Sequence, residues 1–215
     1  MHVVITGANR GIGQELAKHF EAAGSEVTKT SRSPRNGYST LDVTDPASHC
    51  AFAGELGDKA VDLLLCNAGV YLDKHQKFDG GFAADLWAQT FATNVSGVFQ
   101  TIQALMPNVQ RASTPKIAII SSEMASTARS PGGSYIYRAS KAAVLNMGRN
   151  LASDFKDQGV AFGIYHPGWV VTDMGGTDAP VAVQDSAAGL LKRFEALSLE
   201  TTGVYEDFRG DALPF

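Results

Sequence analysis

The chain has 215 residues, of which 44% are hydrophobic and 19% charged, and its formal net charge is −4. This length is enough for one domain with a sizeable core, and the composition is ordinary for a globular protein. The acidic balance, with no basic cluster, argues against a nucleic-acid partner, and no apolar run approaches the ~20 residues of a membrane helix.

Apolar strand-like runs alternate with helical segments along the chain. Strands are predicted at 3–6, 26–30, 39–43, 62–67, 116–121, 161–166 and 203–206, and helices at 11–23, 46–56, 84–108, 134–158 and 184–197. Continuous apolar strands favour a parallel sheet covered on both faces, and right-handed crossovers make it doubly wound. We therefore predict an α/β protein: a single Rossmann-fold domain over residues 1–215, with a mostly parallel, seven-stranded sheet and helices on both faces.

A glycine-rich turn joins the first strand to the first helix. The turn reads Thr6-Gly7-Ala8-Asn9-Arg10-Gly11-Ile12-Gly13, in the strand–turn–helix context of a dinucleotide-binding motif. Glycines let the backbone approach a pyrophosphate, and the helix N-terminus supplies N–H donors. The spacing is G-x-x-x-G-x-G rather than G-x-G-x-x-G, and an ordinary tight turn is the alternative. We predict dinucleotide contacts from Gly7, Asn9, Arg10, Gly11, Ile12 and Gly13.

The end of the second strand bears on the choice of nicotinamide cofactor. NAD enzymes usually place an acidic residue there to bind the ribose 2′-hydroxyl. Here Ser31 stands at that position and Arg32 follows it. Arg32 and Arg10 could bind a 2′-phosphate through charge-assisted bonds, whereas surface arginines are otherwise simply solvated. We therefore predict NADP(H) in preference to NAD(H).

Two later strands end in small polar residues. Asn67-Ala68-Gly69 and Ser121-Ser122 each close an apolar run, at the sheet edge where open α/β folds bind ligands. Both could equally be plain turn formers.

The cysteines and histidines indicate no disulfide or metal chemistry. Cys66 lies in an apolar run and is predicted to be a buried thiol, and Cys50 is the only other cysteine. With an N-terminus too short and uncharged for a signal peptide, this favours a reduced, cytoplasmic protein. The five histidines show no ligand spacing, so we expect no metal.

The helix predicted at 134–158 carries a phenol and an ammonium on one face. Tyr137 and Lys141 are four residues apart, so the lysine can stabilise the phenolate. A free phenol has a pKa of about 10, and a neighbouring cation lowers it towards neutrality. Such a pair suits acid/base chemistry between a carbonyl and an alcohol, although a packed ring beside a solvated amine is the common alternative. Tyr135 falls on a different face and could line a substrate pocket or pack at the helix start.

Taken in chain order, these motifs resemble the short-chain dehydrogenase/reductase family. The matching residues are Thr6–Gly13, Asn67-Ala68-Gly69, Asn94, Ser121-Ser122, Tyr137-x-x-x-Lys141 and Pro167-Gly168-Trp169-Val170-Val171-Thr172. The run from His166 to Gly176 is similar to the compact carbonyl-reductase/C-factor branch. The resemblance implies an NADP(H)-dependent oxidoreductase that acts on a small carbonyl or alcohol substrate such as an aldehyde, ketone or quinone.

The resemblance also implies a set of catalytic residues. Hydride would pass from NADPH to the carbonyl carbon while Tyr137 donates the proton and Lys141 binds the nicotinamide ribose. Asn94 would hold a water that links Lys141 to solvent. Ser122 would polarise the substrate oxygen, but it precedes Tyr137 by fifteen positions, more than the family commonly has. The loop at 123–133 must then bulge, and Ser121 remains the alternative.

Further cofactor contacts follow from the same resemblance. Asp42 would contact the adenine, Asn67, Ala68 and Gly69 the adenine ribose, and Thr172 with the backbone around Val170 the carboxamide. Val43, Pro167 and Gly168 are further predicted cofactor contacts. The short segment 173–183 would form the substrate lid, with Trp169, Tyr135 and Met174 lining an open pocket.

Two expectations concern alternatives and assembly. A C-factor-like signalling protein, or an NADP sensor without turnover, is the rival function. The helices predicted at 84–108 and 134–158 pair between subunits in much of the family, so a homodimer or homotetramer is possible.

Overall fold

The computed structural model describes all 215 residues and contains one seven-stranded sheet. Its strands are β1 (His2–Ile5), β2 (Glu26–Ser31), β3 (Ser39–Thr40), β4 (Leu63–Cys66), β5 (Lys116–Ile120), β6 (Ala161–His166) and β7 (Val204–Asp207). They lie in the order β3-β2-β1-β4-β5-β6-β7, and every neighbouring pair is parallel. The predicted Rossmann-type α/β fold is confirmed, and the sheet is parallel throughout.

Six α-helices cover the sheet. They are α1 (Gly11–Ala22), α2 (Pro46–Leu56), α3 (Ala84–Phe91), α4 (Gly97–Val109), α5 (Tyr135–Phe155) and α6 (Val183–Ala196). A π-helical turn, Ala92–Ser96, joins α3 to α4, and short 3₁₀ turns occur at Glu123–Ala125 and Lys156–Gln158.

Two hydrophobic cores lie on opposite faces of the sheet. Since side chains alternate along a strand, Val3 and Ile5 of β1 face one core while Val4 faces the other. The first core is closed by α1 and α6, and the second by α2, α4 and α5. Each large side chain buried there contributes about 1.5–3 kcal/mol to the free energy of folding. Helices on both faces are therefore confirmed.

Cys66 belongs to the second core, so the predicted buried thiol is confirmed. Burial raises its pKa to about 12. Cys50 is exposed on α2.

Two predicted elements differ from the structure for local reasons. The strand predicted at 39–43 pairs only at Ser39–Thr40, because the Asp42 carboxylate accepts hydrogen bonds from the Thr44 N–H and hydroxyl and turns the chain. The single helix predicted at 84–108 is divided by the π-helical turn, which contains Asn94.

The chain contains no helix long and apolar enough to cross a membrane. It also gathers no group of three or more His, Cys, Asp or Glu side chains that could hold a metal ion.

The strand order positions the ligand site. From β1 the chain first builds outward through β2 and β3, and then continues from β4 on the other side of β1. Adjacent loops after β1 and β4 therefore diverge, and such a switch point leaves a crevice at the carboxyl ends of the strands.

Candidate active site

The glycine-rich turn occupies this crevice at the end of β1. Gly7 and Gly11 have φ values of +63° and +54°, which a side chain rarely adopts. A Cβ on Gly13 would lie 2.4 Å from Asn67 Nδ2 and 2.7 Å from the Gly7 carbonyl oxygen. The turn can therefore approach the next strand end only because these positions are glycine.

Side chains of Thr6 and Asn67 bind the turn to β4. Asn67 Nδ2 donates to the carbonyls of Thr6 at 2.9 Å and Gly7 at 3.1 Å. The Thr6 hydroxyl oxygen accepts from the N–H groups of Asn67 at 2.9 Å and Ala68 at 3.0 Å. The polar residues at these two strand ends thus satisfy backbone groups that would otherwise be unpaired at the sheet edge.

The end of β2 presents arginines and no carboxylate to the crevice. Ser31 is buried and its hydroxyl donates to the Ser33 carbonyl at 2.9 Å. Arg32 lies beside Asp42. Burial alone would raise the pKa of Asp42, but hydrogen bonds from Thr44 and the charge of Arg32 hold it below its usual value. Arg35, which the sequence analysis missed, also lines the crevice.

Arg10 reaches across the mouth of the crevice. Its Nη1 lies 2.7 Å from Asp173 Oδ2 in the segment after β6, and both side chains are mostly exposed. The glycine-rich turn and the predicted lid segment are therefore connected by an ion pair.

The crevice is a cavity of about 690 Å³. Most predicted cofactor residues line it: Gly7, Asn9, Arg10, Gly11, Ile12, Gly13, Ser31, Arg32, Asp42, Val43, Asn67, Ala68, Gly69, Tyr137, Lys141, Pro167 and Thr172. Met174 and Val171 line it as well, and Val171 was not predicted.

Two predicted cofactor residues lie outside the cavity. Gly168 has a φ of +88°, and a Cβ there would lie 2.9 Å from the ring of Phe208, on the side of β7. Val170 is buried with 3% of its surface exposed, and its carbonyl accepts from the Thr172 hydroxyl. Backbone alternation after β6 turns Val171, rather than Val170, towards the cavity.

Asn94 is fully buried in the π-helical turn and holds the chain that follows β4. Its Oδ1 accepts from the Val70 N–H, and its Nδ2 donates to the Val70 carbonyl, both at 2.9 Å. Nδ2 also donates to Ser140 Oγ at 3.0 Å. A Cβ built on Gly69 would meet Asn94 Oδ1 and Lys141 Nζ, so both side chains border the same glycine.

Tyr137 and Lys141 lie together on the buried face of α5. Lys141 Nζ is 5.6 Å from the centroid of the Tyr137 ring and donates to the Ile120 carbonyl at 3.0 Å. Burial lowers the pKa of Lys141 to about 8. Burial also raises the pKa of Tyr137, and a hydrogen bond with the Ser122 side chain offsets part of the rise. The pKa of Tyr137 is therefore raised in the structure, whereas the spacing from Lys141 predicts a lowered value.

The two candidate serines have different partners. Ser121 Oγ donates to the Lys141 carbonyl at 3.3 Å, so this hydroxyl is bound to the backbone of α5. The Ser122 hydroxyl accepts from the Met124 N–H, and the Ser122 carbonyl accepts from the Tyr205 hydroxyl at 2.6 Å. Of the two serines, only Ser122 affects the pKa of Tyr137, which it lowers.

The long spacing between Ser122 and Tyr137 is absorbed just before α5. Gly132, Gly133 and Ser134 have φ values of +87°, +71° and +48°, three consecutive left-handed residues. They lie between the 3₁₀ turn at Glu123–Ala125 and the first residue of α5, in the largely exposed part of the loop.

The segment between β4 and α3 contributes contacts that the sequence analysis missed. Tyr71 stacks on Tyr137 with ring centroids 4.1 Å apart, and Asp73 accepts hydrogen bonds from the first turn of α5. Lys74 Nζ donates to the carbonyls of Met174 and Gly175. No short-range sequence signal marks these residues, because each contact joins positions more than sixty residues apart.

Of the three residues predicted to line the substrate pocket, only one lines the cavity. Met174 lines the cavity, whereas Tyr135 packs edge-on against Phe78 and Phe82 at the surface. Trp169 is about half exposed, and its Nε1 donates to the Gly175 carbonyl at 2.9 Å.

Comparison with known proteins identifies the class. Residues 1–180 match the family model described as short chain dehydrogenase. The chain therefore belongs to the short-chain dehydrogenase/reductase family of oxidoreductases, which use a nicotinamide cofactor, and the predicted resemblance is confirmed.

Individual relatives place it near the carbonyl reductases of that family. It is 36% identical over 166 residues to the C-signal of Myxococcus xanthus, covering 77% of this chain and 99% of that protein. The NADPH-bound carbonyl reductase from chicken fatty liver is 28% identical with a TM-score of 0.90, covering 100% of this chain and 98% of that one. A carbonyl reductase from Pseudomonas aeruginosa PAO1 is 30% identical with a TM-score of 0.86, covering 100% and 99%.

Proposed function

We propose that this protein is an NADP(H)-dependent reductase that interconverts a carbonyl and an alcohol, with Tyr137 as the general acid and base. The observation that carries the proposal is that Tyr137 and Lys141 line the same cavity as the glycine-rich turn. A dinucleotide held by the turn and a proton donor on α5 would then meet a substrate from two sides.

The cavity suits a phosphorylated dinucleotide. Gly7, Gly11 and Gly13 line the cavity at the start of α1, where a helix N-terminus offers N–H donors to a pyrophosphate. Arg32 and Arg35 line the cavity beyond the end of β2 and could bind a 2′-phosphate. The end of β2 itself carries Ser31, a neutral residue, where a carboxylate would repel that phosphate. The NADPH-bound chicken carbonyl reductase is consistent with this preference. When bound, NADPH supplies the hydride.

The residues of the chain would handle the proton and the oxygen. Because burial raises the pKa of Tyr137, its phenol stays protonated at neutral pH and can donate to a substrate oxygen. Ser122, which lowers the pKa of the neighbouring Tyr137, would polarise the same oxygen. Lys141, anchored on the Ile120 carbonyl, would bind the nicotinamide ribose and bring positive charge near the phenolate as the proton leaves.

The substrate is proposed to be an aldehyde, ketone or quinone with an apolar body. The cavity continues to Met174 and Val171, two apolar side chains in the segment after β6. That segment is short, so it leaves the mouth open to substrates of varied shape.

A second candidate is a signalling role that uses the cofactor-bound fold as a binding surface. It is favoured by the 36% identity to a protein named C-signal. The intact Tyr137–Lys141 pair argues against it, because a pure binding surface has no need for a buried amine beside a buried phenol.

The deciding experiment follows the absorbance of NADPH, and separately of NADH, with a panel of aldehydes, ketones and quinones. We expect turnover with NADPH, a fall of about 10²- to 10⁴-fold in Tyr137→Phe, and unchanged turnover in Tyr135→Phe as the matched control. Arg32→Ala should reduce the preference for NADPH over NADH. Tight NADPH binding without any turnover by the wild type would instead support the sensing or signalling function.

A further inference from the structure

The first turn of α5 is capped by a carboxylate from a distant part of the chain. Ser134, which precedes the helix, has a left-handed conformation, and its side chain makes no capping hydrogen bond. The N–H groups of Ile136 and Tyr137 donate instead to Asp73, at 2.9 Å to Oδ2 and 3.2 Å to Oδ1. Both carboxylate oxygens thus bind the helical turn that carries the proposed acid.

The Asp73 carboxylate that caps α5 is buried. Only 1% of its surface is exposed, and it forms no ion pair with any lysine, arginine or histidine. A buried carboxylate without compensation is strongly unfavourable. Two N–H donors and the positive end of the α5 dipole provide that compensation, so the carboxylate and the start of α5 hold each other in place.

Tyr71, two residues earlier, holds the ring of Tyr137. The two rings stack with their centroids 4.1 Å apart and their planes 22° apart. The Tyr71 hydroxyl also hydrogen-bonds Ser134 Oγ, which lies at the start of the same helix. One short segment therefore fixes both the backbone nitrogen of Tyr137, through Asp73, and its ring, through Tyr71.

The segment that carries Tyr71 and Asp73 is itself held at both ends. Both backbone groups of Val70 are bound by Asn94. At the other end, Lys74 Nζ lies 2.9 Å from the Met174 carbonyl oxygen. The residues between Val70 and Lys74 are therefore held in place and can fix the position of the first turn of α5.

We propose that Asp73 and Tyr71 are positioning residues that set the direction of the Tyr137 hydroxyl, an inference that rests on the proposed role of Tyr137 as general acid. Proton transfer needs hydrogen-bond geometry, and a misplacement of about 1 Å can cost roughly 100-fold in rate.

The test measures kcat, KM and NADPH affinity in the full chain for paired variants. Asp73→Ala should lower kcat by about tenfold or more, with NADPH affinity unchanged, because neither residue lines the cofactor end of the cavity. Asp73→Asn keeps one acceptor oxygen and should recover most of the loss. Tyr71→Phe keeps the stacked ring and should remain close to wild type, whereas Tyr71→Leu should not. Asp79→Ala, an exposed carboxylate in the same loop, is the matched control.

A double-variant cycle separates positioning from general stabilisation. If Asp73 acts through the Tyr137 hydroxyl, Asp73→Ala should cost almost nothing further in a Tyr137→Phe background. An equal loss in both backgrounds, or a folded Asp73→Asn and Asp73→Ala pair with wild-type kcat, would overturn the proposal.

Hydrogen exchange provides a readout that does not need turnover. The amides of Ile136 and Tyr137 should exchange faster in Asp73→Ala than in wild type, while later amides of α5 stay protected. Unchanged exchange at these two amides would refute the cap even in an inactive protein. Absence of turnover in the wild type would instead refute the reductase proposal and leave the exchange result to decide the role of Asp73.

Discussion

The proposed cofactor side of the cavity is built from residues within a few positions of a strand end: the turn after β1, the end of β2 and Asn67 after β4. The proposed substrate side is built from three longer loops, at 70–83, 122–134 and 167–182. Lys74 of the first loop binds the backbone of the third, and Asp73 binds the start of α5, which follows the second. On the cofactor side the sheet fixes each residue directly. On the substrate side the position of each residue depends on hydrogen bonds to another segment of the chain.

The largest expected effect lies on the cofactor side. Gly13→Ala would place a Cβ 2.7 Å from the Gly7 carbonyl oxygen, which Asn67 Nδ2 holds by a hydrogen bond. Overpacking of this kind costs about 1–3 kcal/mol in the free energy of unfolding, and the distorted turn should weaken NADPH binding at least tenfold. Urea unfolding and a fluorescence titration with NADPH measure both.

Gly54→Ala is the matched control for this substitution. Gly54 lies inside α2 with no atom within 4 Å of the position of a Cβ. Because alanine is the better helix former, this variant should gain about 0.5–1 kcal/mol. If Gly13→Ala binds NADPH as tightly as Gly54→Ala does, the rigid close packing assigned to the cofactor side is wrong.

The second effect lies where the two sides meet, at Lys141. Its amine is fully buried and its pKa is lowered to about 8, whereas the unfolded chain has the ordinary value of 10.5. Between these values the unfolded state binds more protons, so wild-type stability rises with pH across this window. Lys141→Met should therefore be more stable by roughly 3 kcal/mol below pH 8, and that gain should disappear as pH rises towards 10.5.

Urea unfolding across this pH range measures the Lys141→Met effect, with the exposed Lys77→Met as control. The variant should lose activity although it gains stability, since its site loses the buried cation. A constant difference in stability between wild type and Lys141→Met at all pH values would contradict the lowered pKa.

The smallest effect concerns the ion pair that joins the two sides. Asp173→Asn frees Arg10, which should then be available to a 2′-phosphate. Exposed ion pairs contribute at most about 1 kcal/mol, so NADPH affinity should improve by no more than about fivefold. NADH affinity should not change, and Asp178→Asn in the same segment should change neither. Weaker NADPH binding in Asp173→Asn would show that the carboxylate supports the cofactor site rather than competing for Arg10.

The contrast between the two sides explains what the sequence could predict. Glycines such as Gly13 and strand-end residues such as Asn67 could be predicted, because the strands that precede them have clear apolar patterns and the parallel sheet brings their ends together. Arg35 had a signal, since it lies three residues beyond Arg32 in the same turn, and it was missed.

Asp73 and Tyr71 could not be predicted in this way. Their partners lie more than sixty positions away, and the contact depends on three left-handed residues, Gly132 to Ser134, that set where α5 begins. Local propensity carries no information on how two such loops meet. The π-helical turn around Asn94 could not be predicted either, because the Asn94 side chain binds the backbone of Val70, which lies in a different segment.

Lys74 binds the backbone carbonyl oxygens of Met174 and Gly175 and forms no hydrogen bond with the Met174 side chain. The brace between the two loops is therefore indifferent to which amino acid occupies position 174, although the Met174 side chain lines the cavity. Position 174 can vary in size and polarity while the scaffold around it stays the same. A substitution at position 174 should therefore change the shape of the cavity without disturbing this brace.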